Sequence, residues 1–158
     1  ITFAPGKHFE TDTGKLIKRS LEVDLNRLGA YYGTNVLVSL LEEHELVRLN
    51  ISQLVNTAEQ RRIAVIRSPI VDMSIPGRMQ CQNLVALIGT LARAGQRVVL
   101  HCNRGLGRTG TIGACCLVSL GLAAEDAILH TRKTVEGAIE THAQEDFIRE
   151  FAEDWGTL

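Results

Sequence analysis

Apolar residues in this chain gather into short continuous runs, and the stretches between them carry apolar positions at helical spacing. Residues 36–41 (VLVSLL), 63–66 (IAVI) and 98–100 (VVL) are runs of the kind found in strands buried on both faces. Leu21, Leu25 and Leu28 fall at i, i+4, i+7, which predicts an amphipathic helix ending near Gly33. Charged helical stretches are predicted over 42–49 and 51–61. Cys81, Leu84, Val85, Ile88 and Leu91 form one stripe of a long helix that Gly95 ends. Ile112, Cys115 and Cys116 share a face of a further helix. Two more are predicted over 125–135 and 142–155, the last turning Phe147, Ile148, Phe151 and Trp155 toward the core. Residues 69–77 carry two prolines and a glycine and read as a loop.

Buried-type strands separated by helices predict an α/β protein: a single domain with a mostly parallel central sheet flanked by helices. Ligands of such sheets collect at the carboxyl ends of the strands. The third run leads straight into His101 and Cys102.

Composition narrows the function classes. At 158 residues, 45% apolar and 22% charged, the chain can bury a continuous core and is globular, neither disordered nor membrane-spanning. A net charge of −1 gives no global attraction to nucleic acid or to an anionic membrane, so an anionic ligand needs a local site. No apolar run approaches the roughly 18–20 residues of a membrane span, and no charged-then-apolar leader opens the chain. It starts at Ile1 without a methionine, which leaves room for a trimmed or processed N-terminal piece. Cys81, Cys102, Cys115 and Cys116 include no CxxC pair, and His8, His44, His130 and His142 show no metal-ligand spacing. The expectation is a cytoplasmic protein with reduced cysteines and no metal or cofactor.

Cys102 needs a separate explanation. It opens the segment His101-Cys102-Asn103-Arg104-Gly105-Leu106-Gly107-Arg108-Thr109-Gly110, between a predicted strand and a predicted helix. A structural turn needs glycines there, but neither a cysteine at its first position nor an arginine at the helix start. An arginine beside a positive helix terminus is unfavourable unless an anion lies between them. Gly105 and Gly107 allow successive amide hydrogens to face inward as a nest for a dianion, and Arg108 can grip two phosphate oxygens in a fork. The loop 102–108, with Asn103, Arg104, Gly105, Leu106 and Gly107 between the two chemical residues, is therefore the candidate phosphate site.

The same field acts on the thiol, whose pKa of about 8.5 can fall to about 3.5–7.5 at a helix amino terminus beside a cation. A thiolate under phosphorus would attack it to give a phosphocysteine intermediate. The loop amides and Arg108 would then stabilise the equatorial oxygens. Thr109 is placed to donate its hydroxyl to the departing sulfur in the second step.

The pattern His-Cys-x5-Arg-Thr-Gly resembles the signature of the protein tyrosine phosphatase superfamily, and its spelling HCNRGLGRTG resembles the dual-specificity branch. PGKHF, TNVLVSLLEEHEL, SPIVDMSIP and GAIETHAQ stand in the order seen in phosphatases related to the cyclin-dependent kinase inhibitor 3 group, so the resemblance covers nearly the whole chain, 1–158. It implies the cysteine-phosphatase fold and a phosphorylated protein as the partner bound. It also implies an aspartic acid on an upstream loop as proton donor. Asp72 stands there, and it is the one carboxylate in the Pro-bounded loop. Relatives handle the second-step water with glutamines in a pattern like GxIQTxxQ; here Gln144 matches the second and Glu140 replaces the first, putting a carboxylate near the expected dianion. His101 resembles the histidine that orients the loop by hydrogen bonds.

Other readings stay open. A phosphoinositide phosphatase usually carries lysines inside the loop, as in CKAGKGR, and this loop has none. A catalytically dead phosphate-binding module finds support only in Glu140. A sulfur-transfer enzyme has no use for Asp72 or Thr109. Cys115 and Cys116 read as small core residues, with a redox role toward oxidised Cys102 as the alternative. Arg104 would attract an acidic substrate flank or simply be solvated. The carboxylates Glu145, Asp146, Glu153 and Asp154 read as the wet face of the last helix.

Overall fold

The three apolar runs become one parallel sheet in the computed structural model, which describes residues 1–156. Its strands are β3 (Val36–Ser39), β4 (Ala64–Arg67) and β5 (Val98–His101), ordered β4-β3-β5. Leu37 pairs with Val65 on one side and Val99 on the other, and Ser39 with Arg67 and His101. β3 is central and buried at all four positions. The strand expected over 63–66 begins one residue later, and its residues are half-buried or exposed. β4 is an edge strand, so the expectation of full burial is corrected there; the buried member of that run is Ile63, just before it.

A two-stranded antiparallel hairpin, β1 (His8–Glu10) and β2 (Leu16–Lys18), precedes this sheet and was not expected from the pattern. The first helix, α1 (Leu21–Asn26), is capped by Ser20, whose hydroxyl accepts from the Val23 amide. It buries Leu25 and then widens into a π turn, Arg27–Tyr31. Helices α2 (Glu43–Arg48) and α3 (Leu54–Glu59) follow, the second shorter than the predicted 51–61. The loop over 69–77 leads into α4 (Arg78–Arg93), whose Cys81, Leu84, Val85 and Ile88 are buried as the stripe predicts.

α5 (Gly107–Ser119) rises from the end of β5 and packs against α4, α6 (Ala124–Thr134), α7 (His142–Trp155) and β5. α3 packs against α1 and β4. Phe147, Ile148 and Phe151 are buried in α7, with Trp155 half-buried and stacked on Phe151. On the other face Arg132 and Arg149 pair with Glu145, and Arg78 with Glu150 and Asp154. Cys115 is buried and Cys116 half-buried. Burial raises the Cys115 thiol well above its ordinary value, with a contact to Cys81 adding to it, and pushes Cys116 up to about 12. Burial of both on the inner side of α5 accords with their reading as small core residues. No helix among the described residues is long and apolar enough to cross a membrane.

Candidate active site

β5 ends at His101, so Cys102 emerges at the carboxyl end of the sheet and the loop after it turns into the amino terminus of α5. The sulfur is nearly enclosed: Cys102 is 3% exposed, the Gly105 amide donates to Sγ at 3.3 Å, and Thr109 Oγ1 lies 3.8 Å away. Gly105 makes that turn with φ +80°. A Cβ there would meet the Thr2 carbonyl carbon at 2.6 Å and the Phe3 nitrogen at 2.7 Å. The N-terminal segment is what crowds it. Thr2 bridges His101 in parallel, Ala4 donates its amide to the Asn103 carbonyl at 3.2 Å, and Lys7 Nζ donates to the same oxygen at 2.9 Å. Residues 2–7 thus clamp the phosphate loop from outside, a role the sequence reading missed.

Arg108 is 2% exposed and fully engaged along one edge. Nη1 donates to Glu45 Oε2 at 2.6 Å and to the Ile70 carbonyl at 3.0 Å; Nη2 donates to Glu45 Oε1 at 3.0 Å. Nη2 also meets Asp72 Oδ1 at 2.8 Å. Nε is buried and has no partner. The fork expected to grip phosphate is therefore the Nε–Nη2 edge, because Glu45 fixes the other. Burial alone would raise the Glu45 carboxyl, but the Arg108 hydrogen bonds and charge, with the Glu42 amide at 3.0 Å, outweigh it and hold the group below the usual carboxylate value. Glu45 is the main site residue the sequence reading missed. Its one sequence signal is local: Glu42 and Glu45 stand at capping-box spacing at the start of α2.

Asp72 projects from the Pro-bounded loop with its side chain 52% exposed. It shares a small mouth of about 130 Å³ with Met73, Cys102, Asn103, Arg104 and Glu140. The structure therefore brings together Cys102, Arg108, Thr109 and Asp72, which lie up to 37 residues apart in the chain (72 to 109).

Glu140 also turns inward. Its Oε2 accepts the Gly107 amide at 2.9 Å, and its Oε1 lies 3.7 Å from Arg104 Nη1. A Cβ on Gly107 would fall 2.5 Å from that carboxylate oxygen, so glycine makes the room. The preceding residue, Ile139, is buried with φ +61°, a left-handed conformation that costs a β-branched residue of order 1–3 kcal/mol. That strained turn aims Glu140 at the loop. An internal carboxylate thus sits on one of the amides expected to face phosphate.

Gln144 lies beside the phosphate loop: a Cβ on Gly107 would stand 3.0 Å from its Nε2 and 3.2 Å from its Oε1. It is buried; its Oε1 accepts from the Glu140 and Thr141 amides at 2.8 and 3.3 Å, and its Nε2 donates to the Ser74 carbonyl at 3.2 Å. It braces α7, the Glu140 turn and the Asp72 loop against each other. His101 is fully buried, and its Nδ1 lies 3.3 Å from the Cys102 carbonyl, which can only accept, so Nδ1 carries the hydrogen. Burial pushes its pKa down to about 4. Asn103 turns its side-chain oxygen toward Lys7 at 3.3 Å, Arg104 is exposed, and Leu106 is half-buried. Among the described residues no group of His, Cys, Asp and Glu is arranged to hold a metal ion.

Comparison with known proteins points to one family. A family model described as "polymorphic toxin system, DSP-PTPase phosphatase" matches residues 20–122. Cyclin-dependent kinase inhibitor 3 from Rattus norvegicus is 26% identical over 140 residues, 87% of this chain and 66% of that protein. The Homo sapiens protein matches to the same extent. The chain thus spans just under two thirds of the length of these curated relatives. The solved structure of kinase associated phosphatase with its catalytic cysteine replaced by serine superposes with a TM-score of 0.87 at 23% identity, covering 99% of this chain and 86% of that one. Tk-PTP in its active form gives a TM-score of 0.75 at 31% identity, covering 84% and 86%. PTPMT1 in complex with PI(5)P shares the fold, with a TM-score of 0.76 at 20% identity over 95% and 97%.

Proposed function

The chain belongs to the DSP-PTPase phosphatase family, and from that premise we propose that it hydrolyses phosphotyrosine and phosphoserine or phosphothreonine in proteins through a phosphocysteine on Cys102. Residues 1–158 are read as one phosphatase domain working in the cytoplasm. The observation that carries the mechanism is the mouth itself: Cys102 lies at its floor, Asp72 at its rim, and the unpartnered Nε of Arg108 beside it.

In this mechanism the phosphate enters above Sγ and takes the Nε–Nη2 edge of Arg108 together with the loop amides. Asp72 is released from Nη2 as phosphate arrives, takes up a proton from solvent and swings toward the leaving oxygen. The sulfur attacks phosphorus: the P–S bond forms, the P–O bond to the side chain breaks, and the Asp72 carboxyl gives its proton to the departing oxygen. In the second step water attacks phosphorus and the P–S bond breaks. The water proton passes to the Asp72 carboxylate, and Thr109 donates a hydrogen bond to the departing sulfur. Glu45 keeps Arg108 in place throughout, and His101 holds the Cys102 carbonyl. A fixed guanidinium is worth most where charge redistributes in the transition state.

A phosphoinositide substrate is the second reading. One observation favours it: Lys7 stands against Asn103 and supplies beside the loop a lysine that the loop itself lacks.

A panel of phosphopeptides and soluble phosphoinositides, assayed with wild type, Cys102→Ser and Asp72→Ala, tests the proposal. Hydrolysis of phosphopeptides should disappear in Cys102→Ser, and Asp72→Ala should lower kcat by about 10²–10⁴ without weakening phosphate binding. Full activity of either variant, or hydrolysis of phosphoinositides alone, would contradict it.

A further inference from the structure

Between α4 and α5 lies a cavity of about 300 Å³ that shares no residue with the mouth over Cys102. Its walls are apolar: Val85, Ile88 and Ala92 on α4, and Leu120 just past the end of α5. Few polar groups reach it. Ser119 spends its hydroxyl on the Cys116 carbonyl at 2.7 Å. Burial pushes the Cys116 thiol up to about 12, so the sulfur faces the space uncharged. That leaves Arg93. No carboxylate lines the cavity, and none of the ion pairs among the described residues uses Arg93. Its guanidinium folds back along α4, where a Cβ built on Gly89 would stand 3.4 Å from Nη1.

Taken singly, these features are ordinary. An arginine in the last turn of a helix complements the carbonyl end, and a lone exposed leucine needs no explanation. Together they describe a complementary shape. Leu120 is 72% exposed at the rim, so apolar surface stays in water beside an apolar space. A ligand with one apolar chain and one negative end covers that surface, fills the space and gives Arg93 its missing partner. The volume lies at the small end of ligand pockets, which run from about 300 to 1,000 Å³. It takes one acyl chain and has no room for the second chain of a phospholipid. A single cation likewise matches a single carboxylate.

We propose that the α4–α5 cavity binds a free fatty acid of medium chain length, with its carboxylate on Arg93 and its chain against Val85, Ile88 and Leu120. The assignment holds whatever substrate Cys102 acts on, because its readout is binding. Titration calorimetry of the full chain with octanoate and decanoate, each below its micelle concentration, tests it, with decanol as the uncharged control. Affinity should rise roughly tenfold or more from octanoate to decanoate, since each buried methylene is worth about fourfold. Decanol should bind roughly tenfold more weakly than decanoate. Arg93→Gln should erase that difference and leave decanol binding unchanged. A side chain at position 89 meets no backbone on entering the cavity, so Gly89→Leu should weaken decanoate by about tenfold or more without lowering the Tm of the unliganded protein. No binding of either acid, or equal binding of decanoate and decanol, refutes the proposal. Undiminished decanoate affinity in Gly89→Leu places the acid elsewhere and overturns it too. Binding to vesicles of anionic phospholipid without binding of free acid assigns the face to a membrane instead. A dimer in sedimentation equilibrium that Gly89→Leu disrupts assigns it to a second copy of the chain.

Discussion

Replacing Glu140 with glutamine should make the enzyme bind phosphate-like anions more tightly. The carboxylate accepts the Gly107 amide at 2.9 Å, and its side chain is 20% exposed, so it is held in the loop rather than freely solvated. A phosphate using that amide would bring its charge to about 5 Å from the carboxylate unless Glu140 swung away. A dianion and a unit charge at that separation repel by about 1.7 kcal/mol even at the dielectric of bulk water, and by more in a partly enclosed site. Glutamine keeps an oxygen to accept the amide and removes the charge, so the dissociation constants of tungstate and inorganic phosphate should fall roughly tenfold or more. They can be measured as competitive inhibition constants at neutral pH, and by calorimetry on a Cys102→Ser background, where turnover does not interfere. The gain should narrow for singly charged anions. Unchanged or weaker binding in Glu140→Gln would refute the idea that this carboxylate competes for the loop.

Glu45→Gln leaves Arg108 buried without its bidentate partner. It should destabilise the fold by about 3 kcal/mol or more, with a parallel loss in kcat/KM; urea unfolding checks the first and steady-state kinetics the second, and an unaffected variant would show that Arg108 is held by other means. Gly105→Ala puts a methyl 2.6 Å from the Thr2 carbonyl carbon at φ +80°, so it should lower Tm and depress turnover; normal activity would contradict the N-terminal clamp. Burial holds His101 near pH 4, while the unfolded imidazole titrates near 6.5. Between those values the unfolded chain takes up a proton that the folded one refuses, so this group's contribution is complete above about pH 6.5 and is lost as pH falls toward 4. Its slope approaches ~1.4 kcal/mol per pH unit, and His101→Asn should flatten urea-measured stability over that window; an unchanged slope would exclude a neutral buried imidazole.

What the sequence made legible was local. The loop 102–108 could be read because its nucleophile, glycines and arginine lie within seven residues and each makes sense only with an anion present. The parallel sheet was legible because strands covered on both faces are apolar without alternation, as Val36–Ser39 shows. β4 misled on burial because an edge strand with the same residues is covered less well. The hairpin escaped because three-residue strands carry too few positions to show a period. Glu45 escaped for a different reason. Its helix reads as an ordinary charged surface stretch, and the partner that buries it lies 63 residues away. The inward turn of Glu140 depends on the left-handed backbone at Ile139, a conformation no propensity assigns to isoleucine.

The account depends most on covalent chemistry at one sulfur. Rapid acid quench during turnover of a phosphopeptide labelled in its phosphate, followed by digestion and mass analysis, looks for that bond directly. The account predicts a transient thiophosphate on the fragment containing Cys102, formed at the rate of the first step and absent from Cys102→Ser. Full turnover with no label on the protein, or with label on any other residue, would contradict it.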